Sequence, residues 1–169
     1  MALTKINDRS GYSVDLSNYL TGVSTTDMPS GSVIQIETFE YTGGEYSTTS
    51  TIDASTPYTA TITPTRSSSK TVIMASFDLR KNSGTTNDGA TVSLYRDGSL
   101  IRDRWAWVWG YHLTSSSGMF GHFAGNYADS PNSTSALTYT VRLRSYAGGS
   151  FIVGDSNSGG SLIAMEIKA

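Results

Sequence analysis

Hydrophobic positions are sparse up to residue 30 and dense after it. Before Gly31 the isolated apolar residues Val14, Leu16, Tyr19, Leu20 and Val23 stand among Ser, Thr, Asn and Asp, too few to build a core. The turn signal Met28-Pro29-Ser30-Gly31 closes this stretch. Residues 1–30 therefore read as an extended N-terminal arm, and 31–169 as the folded domain. After Gly31, runs rich in β-branched and aromatic residues recur, several with period-two alternation. Strands are expected at Val33–Tyr41, Tyr58–Thr63, Thr71–Leu79, Thr91–Tyr95, Leu100–Arg102, Trp105–Tyr111, Met119–Tyr127, Leu137–Tyr146, Phe151–Val153 and Leu162–Ile167. The apolar start of Thr71–Leu79 predicts a strand covered on both faces. Val141 and Leu143 alternate with Arg142 and Arg144, which predicts one dry and one wet face. Asp97-Gly98 between two runs predicts a tight hairpin, because both residues tolerate positive φ. Polar loops are expected at 42–45 and 82–89. Nine or ten short strands with no convincing helix imply an all-β protein, an antiparallel jelly-roll sandwich carrying an extended arm.

Composition agrees with that pattern. Charged residues are 15% of the 169, and Ser plus Thr are roughly three in ten. A wet face built from hydroxyls suits sheet and turns rather than amphipathic helices. The net charge of −2 gives no general attraction to nucleic acid or to an anionic membrane. No Cys is present, which removes disulfides and thiolate metal sites. Met1–Arg9 lacks the apolar run of a signal peptide, and no apolar stretch is long enough for a membrane span. A soluble protein made in the cytosol is the expectation.

The most unusual feature is Trp105-Ala106-Trp107-Val108-Trp109-Gly110-Tyr111, which holds all three tryptophans. On a strand, Trp105, Trp107, Trp109 and Tyr111 would project to one side and the small residues between them to the other. Such a stripe is more often core or subunit interface than ligand site. The alternative is a stacking platform for glycan rings. Catalytic constellations fail on spacing. Gly154-Asp155-Ser156-Asn157-Ser158-Gly159-Gly160 has the flavour of a protease nucleophile loop, but two extra residues break it and no base has recognisable context. His112 and His122 are too far apart for a local ligand pair. The aspartates, spread over loops and strand ends, default to solvated surface positions. No enzyme activity, cofactor or metal is expected.

Both ends of the chain resemble structural and tail-fibre-like virion proteins of aquatic bacteriophages. The resemblance rests on Met1-Ala2-Leu3-Thr4-Lys5-Ile6, Pro29–Gln35, Ile62-Thr63-Pro64 with Ser67–Lys70, Asp129-Ser130-Pro131 with Thr134–Tyr139, and Ser161–Ile167. The strand order is similar to the trimeric jelly-roll heads of the C1q and tumour-necrosis-factor type. These likenesses imply a homotrimeric, non-enzymatic protein of the virion surface, made in the host cytoplasm. It would decorate the capsid or form a short head fibre, docked on other virion proteins such as the major capsid protein or a tail component. Candidate docking residues in the arm are Leu3, Ile6, Tyr12, Val14, Leu16, Tyr19 and Leu20. The alternative is a tail-fibre tip that binds host surface glycans. Neither nucleic acid nor membrane insertion is expected. The Trp-rich strand is not part of the phage pattern, so it belongs to this protein's own partner or trimer contact.

Overall fold

A computed structural model describes residues 28–42, 44–83, 88–110, 119–154 and 159–169, with the backbone alone at 83, 108–110, 119 and 120. Ten strands and no helix occur among them. They are β1 (Val33–Tyr41), β2 (Tyr46–Thr48), β3 (Ala54–Ile62), β4 (Lys70–Ser83), β5 (Asp88–Arg96), β6 (Ser99–Gly110), β7 (Met119–Asp129), β8 (Leu137–Ser145), β9 (Ser150–Val153) and β10 (Gly160–Ile167). All pairings are antiparallel. The first sheet runs β1-β10-β4-β9-β2, with β7 on the other side of β4; the second runs β3-β8-β5-β6. Neighbours distant in sequence within each sheet make this the jelly-roll sandwich expected from the pattern.

Alternation builds the core. On β8 the burial is strictly periodic, so Val141 and Leu143 are sealed while Arg142 and Arg144 lie on the wet side. Ile73, Phe77 and Leu79 of β4 meet Val92 and Leu94 of β5 and Tyr139, Val141 and Leu143 of β8. An aromatic chain crosses this interior. Tyr41 lies 5.4 Å from Tyr58, Tyr58 stacks on Phe77 at 4.7 Å, Phe77 meets Phe123 at 4.9 Å, and Phe123 meets Trp105 edge-on at 5.3 Å. Such offset and edge contacts add to the burial of the rings.

The turn at Asp97-Gly98 forms as expected, with φ of 49° and 79°. Asp97 also accepts the Thr138 N–H at 2.8 Å, which ties the turn to β8. Several expectations are corrected. Leu100–Arg102 and Trp105–Gly110 belong to one strand, β6, which is bulged rather than broken. β4 extends to Ser83 through its ladders to β7 and β9, and β5 starts at Asp88 through its ladder to β6; these ladders carry polar residues that have no strand pattern of their own. The outer side of β4 is open, with Met74 at 43% exposure, because no layer among the described residues packs over it. Finally, not every aspartate is solvated. Asp88 is fully buried, and its carboxylate accepts from the N–H groups of Gly89, Ala147 and Gly149 and from the Ser145 hydroxyl at 2.5–2.8 Å. Asp129 is buried between Arg96 at 2.5 Å and the Tyr139 hydroxyl at 2.8 Å. Each is covered because donors replace its water.

Candidate functional site

With the interior filled, the chemistry available to partners lies on the two outer faces. On the first sheet, register aligns the outward residues in rows across β1, β10, β4 and β7. One row is Ile36, Met165, Val72 and Ala128; the next is Thr38, Ile163, Met74 and Asn126; a third is Glu40, Ser161, Ser76 and Ala124. The first two rows are largely aliphatic, with Ile36 at 56% exposure. A shallow depression of about 230 Å³ lies among Met74, Ser76, Ala124, Asn126, Ser161 and Ile163, where the residues beside Met74 are small. Polar groups gather towards one end. Contiguous exposed apolar surface with a polar margin is the anatomy of a protein–protein contact.

At that polar end a hydrogen-bonded chain runs Ser76 Oγ, His122 Nε2 at 2.9 Å, then His122 Nδ1 to Asp78 Oδ1 at 2.8 Å. The order is that of a nucleophile, a base and its orienting acid. Ser76 and Asp78, two residues apart on β4, necessarily project to the same side. His122 arrives opposite Asp78 on β7, which is why spacing along the sequence did not reveal the trio. Two features of the described surroundings differ from those of a hydrolase centre. The side chains of His122 and Asp78 are well exposed. The backbone around Ser76 is committed to ladders with β10 and β7 on its two sides, so it does not supply N–H groups for a developing oxyanion.

The outer face of the second sheet is aromatic and charged. Here β6 departs from the expected single-sided stripe. Val92 pairs with Ala106 and Leu94 with Arg102, so Asp103, Arg104 and Trp105 all stand opposite Ser93. Arg104 takes up the distortion with φ of 48°. Such a bulge resets side-chain alternation. Trp105 turns inward against Phe123 and donates its Nε1–H to the Asn126 carbonyl at 3.1 Å. Gly125 makes room for it, since a Cβ there would lie 2.9 Å from the indole nitrogen. Trp107 turns outward and is 48% exposed. The expectation of one common direction is thus corrected at its first pair. Trp109 is placed only through its backbone, opposite Gly89; its side chain and Tyr111 lie outside the described residues. So do Leu3, Ile6, Tyr12, Val14, Leu16, Tyr19 and Leu20 of the arm, and residues 155–158 of the Gly-rich segment.

Trp107, Arg104, Arg144, Thr91, Thr51 and Tyr146 line a depression of about 240 Å³. Tyr146, just past the end of β8, is 65% exposed. Arg144 is held between Asp103 at 3.4 Å and Asp53 at 3.5 Å, and the Arg104 guanidinium lies 5.0 Å from the centre of the Trp107 ring. Asp53 accepts the Tyr95 hydroxyl at 2.6 Å, while the Arg142 guanidinium covers the Tyr95 ring at 4.0 Å. Burial, then the bond to Asp53, raises the Tyr95 pKa. The face is therefore a fixed mosaic of donors, acceptors and ring surfaces. Among the described residues, no group of three or more His, Asp or Glu could hold a metal ion.

No protein-family model matches the sequence, and no curated protein does. Solved structures do show similarity. Eiger TNF from S. frugiperda superposes over 82% of this chain and 96% of its own, with a TM-score of 0.50 at 7% identity. This likeness supports a TNF-like jelly roll as the fold. Latent PorU from Porphyromonas gingivalis gives a TM-score of 0.45 at 13% identity over 83% of this chain, which spans only 14% of that protein. A capsid chain of the T13 particle of infectious bursal disease virus gives 0.44 at 12% identity, over 82% of this chain and 37% of the viral one.

Proposed function

We propose that this protein is a non-enzymatic, homotrimeric component of a bacteriophage virion surface, a capsid decoration protein or short head fibre. The observation that carries the reading is the aliphatic outer face of the first sheet. Ile36, Val72, Met74, Ile163 and Met165 form a continuous patch across β1, β10 and β4, which the described residues leave uncovered. A second copy covers it at no cost in buried charge, since the rows at its centre contain none. The resemblance to C1q- and TNF-type heads favours three copies. Residues 1–30 serve as the docking arm, and the resemblance to phage structural proteins supports a capsid partner.

Imaging of particles supplemented with the full chain or with a chain lacking residues 1–28 tests this. The expected result is a truncated protein that sediments as a trimer and no longer decorates particles. Decoration by the truncated protein, or a monomeric full chain, overturns the reading.

A second reading, a tail-fibre tip that binds host surface glycan, is favoured by one observation. Trp107 lies open on the second sheet beside Tyr146, away from the aliphatic face.

A further inference from the structure

We propose that the depression between Trp107, Tyr146, Arg104 and Arg144 is a saccharide subsite that takes a neutral hexopyranose. This deepens the glycan-binding reading and holds whether the protein sits on capsid or tail.

Past the bulge Ala106 stands opposite the buried Val92, and Trp107, opposite Thr91, is set outward. At the bulge, where Arg104 has φ 48°, the Trp105 indole lies half-buried against Phe123 at the edge of the core while the next is displayed. Trp107 stays 48% exposed beside the Arg104 guanidinium, and covering apolar ring surface is favourable. The C–H face of a pyranose suits an indole, being apolar, rigid and ring-sized. A sugar also needs paired donors and acceptors for its vicinal hydroxyls. Arg144 and Asp103 supply such a pair 3.4 Å apart, in the same face as Trp107, and each orients the other. Thr91 lies between Trp107 and Arg144 in the same cross-strand row. The volume, about 240 Å³, suits one sugar ring rather than a long chain.

Charge decides between neutral and acidic sugars. The charged lining residues Arg104 and Arg144 are paired with carboxylates beside the depression, Arg104 with Asp103 and Arg144 with both Asp53 and Asp103, so their charge is already compensated. A carboxylate on the ligand would compete with those aspartates and meet their repulsion. The same balance, with a chain charge of −2, disfavours the phosphates of a single-stranded nucleic acid, which could otherwise stack on an exposed tryptophan.

The test is titration of the full chain with methyl glycosides of glucose, galactose, mannose and N-acetylglucosamine, alongside methyl galacturonide and a short oligothymidylate. Ligand-observed NMR reads the binding, and sedimentation reads the assembly of the same samples. At least one neutral glycoside is expected to bind. Trp107→Ala should weaken it at least about tenfold with assembly unchanged, and Tyr146→Ala less. Trp107→Phe, which keeps a ring, should retain part of the binding. Absence of binding by any neutral glycoside, preference for the galacturonide or the oligonucleotide, or equal binding by Trp107→Ala overturns the subsite. If Trp107→Ala binds isolated glycosides like the wild type, the site is elsewhere and the glycan-binding reading survives. If no glycoside and no intact host surface binds, that reading falls as well. The trimer is read separately, by sedimentation.

Discussion

The two outer faces of this sandwich are built by the same strand alternation, yet they have opposite chemistry. Across the first sheet the outward rows are Ile, Val, Met and Ala, with polar groups gathered at one end. Across the second they are Trp107, Thr91 and Arg144, followed by Ser93 and Arg142. Inward positions are alike in both, because either sheet must fill one core. Outward positions are not needed for that, so they record what each face meets. An aliphatic face gains by being covered. A face of interlocked carboxylates, guanidinium groups and rings keeps its form in water and can be read by a ligand.

The largest effect should come from placing a charge where the first face has none. Met74→Glu is expected to convert the proposed trimer into a folded monomer, seen by sedimentation at micromolar concentration, because the ionised side chain would be buried unpaired in the contact. An unchanged trimer would move the contact elsewhere. On the second face charge is part of the fabric, and its removal should cost stability rather than assembly. Asp53→Ala leaves the Tyr95 hydroxyl without its acceptor and Arg144 with Asp103 alone. The expected loss is about 1–3 kcal/mol by chemical denaturation. The smallest effect is expected from the layer that both faces share. Tyr58 is fully buried, and its hydroxyl has no hydrogen-bond partner among the described residues. Tyr58→Phe should therefore be neutral or stabilising by less than about 1 kcal/mol. Burial pushes the Tyr58 pKa from 10.0 up to about 12. The unfolded chain then loses its proton first, so stability holds below pH 10 and falls between pH 10 and about 12. Tyr58→Phe should make that fall shallower, though Tyr139, also raised by burial, keeps it from vanishing.

The fold was legible where side chains alternate cleanly, as at Val141–Arg144, and where turn chemistry is explicit, as at Asp97-Gly98. It was not legible where a strand exists only because a neighbour pairs with it. Tyr46–Thr48 has no pattern of its own and is held by β9. The functional surfaces divide in the same way. The tryptophan cluster is obvious in the sequence, but its separation into an inward and an outward ring depends on the bulge at Arg104, and arginine identity does not announce a positive φ. Ser76 and Asp78 share a side by simple alternation, whereas His122 joins them only through the pairing of β4 with β7. Asp88 is unremarkable as a letter in a polar stretch; its burial arises because the β8–β9 turn presents N–H groups to it.

The bulge in β6 has a consequence for how such a surface could diversify. Residues 105 and beyond form a cassette whose sidedness is fixed by the count of residues between Arg102 and Ala106, not by their identity. A single insertion or deletion there would turn Trp107 from the outer face to the inner one. Substitution at Trp107, by contrast, would change what the surface recognises and leave the Trp105 anchor in place. Specificity can therefore drift residue by residue while length is conserved, and the spacing itself becomes the trait under selection.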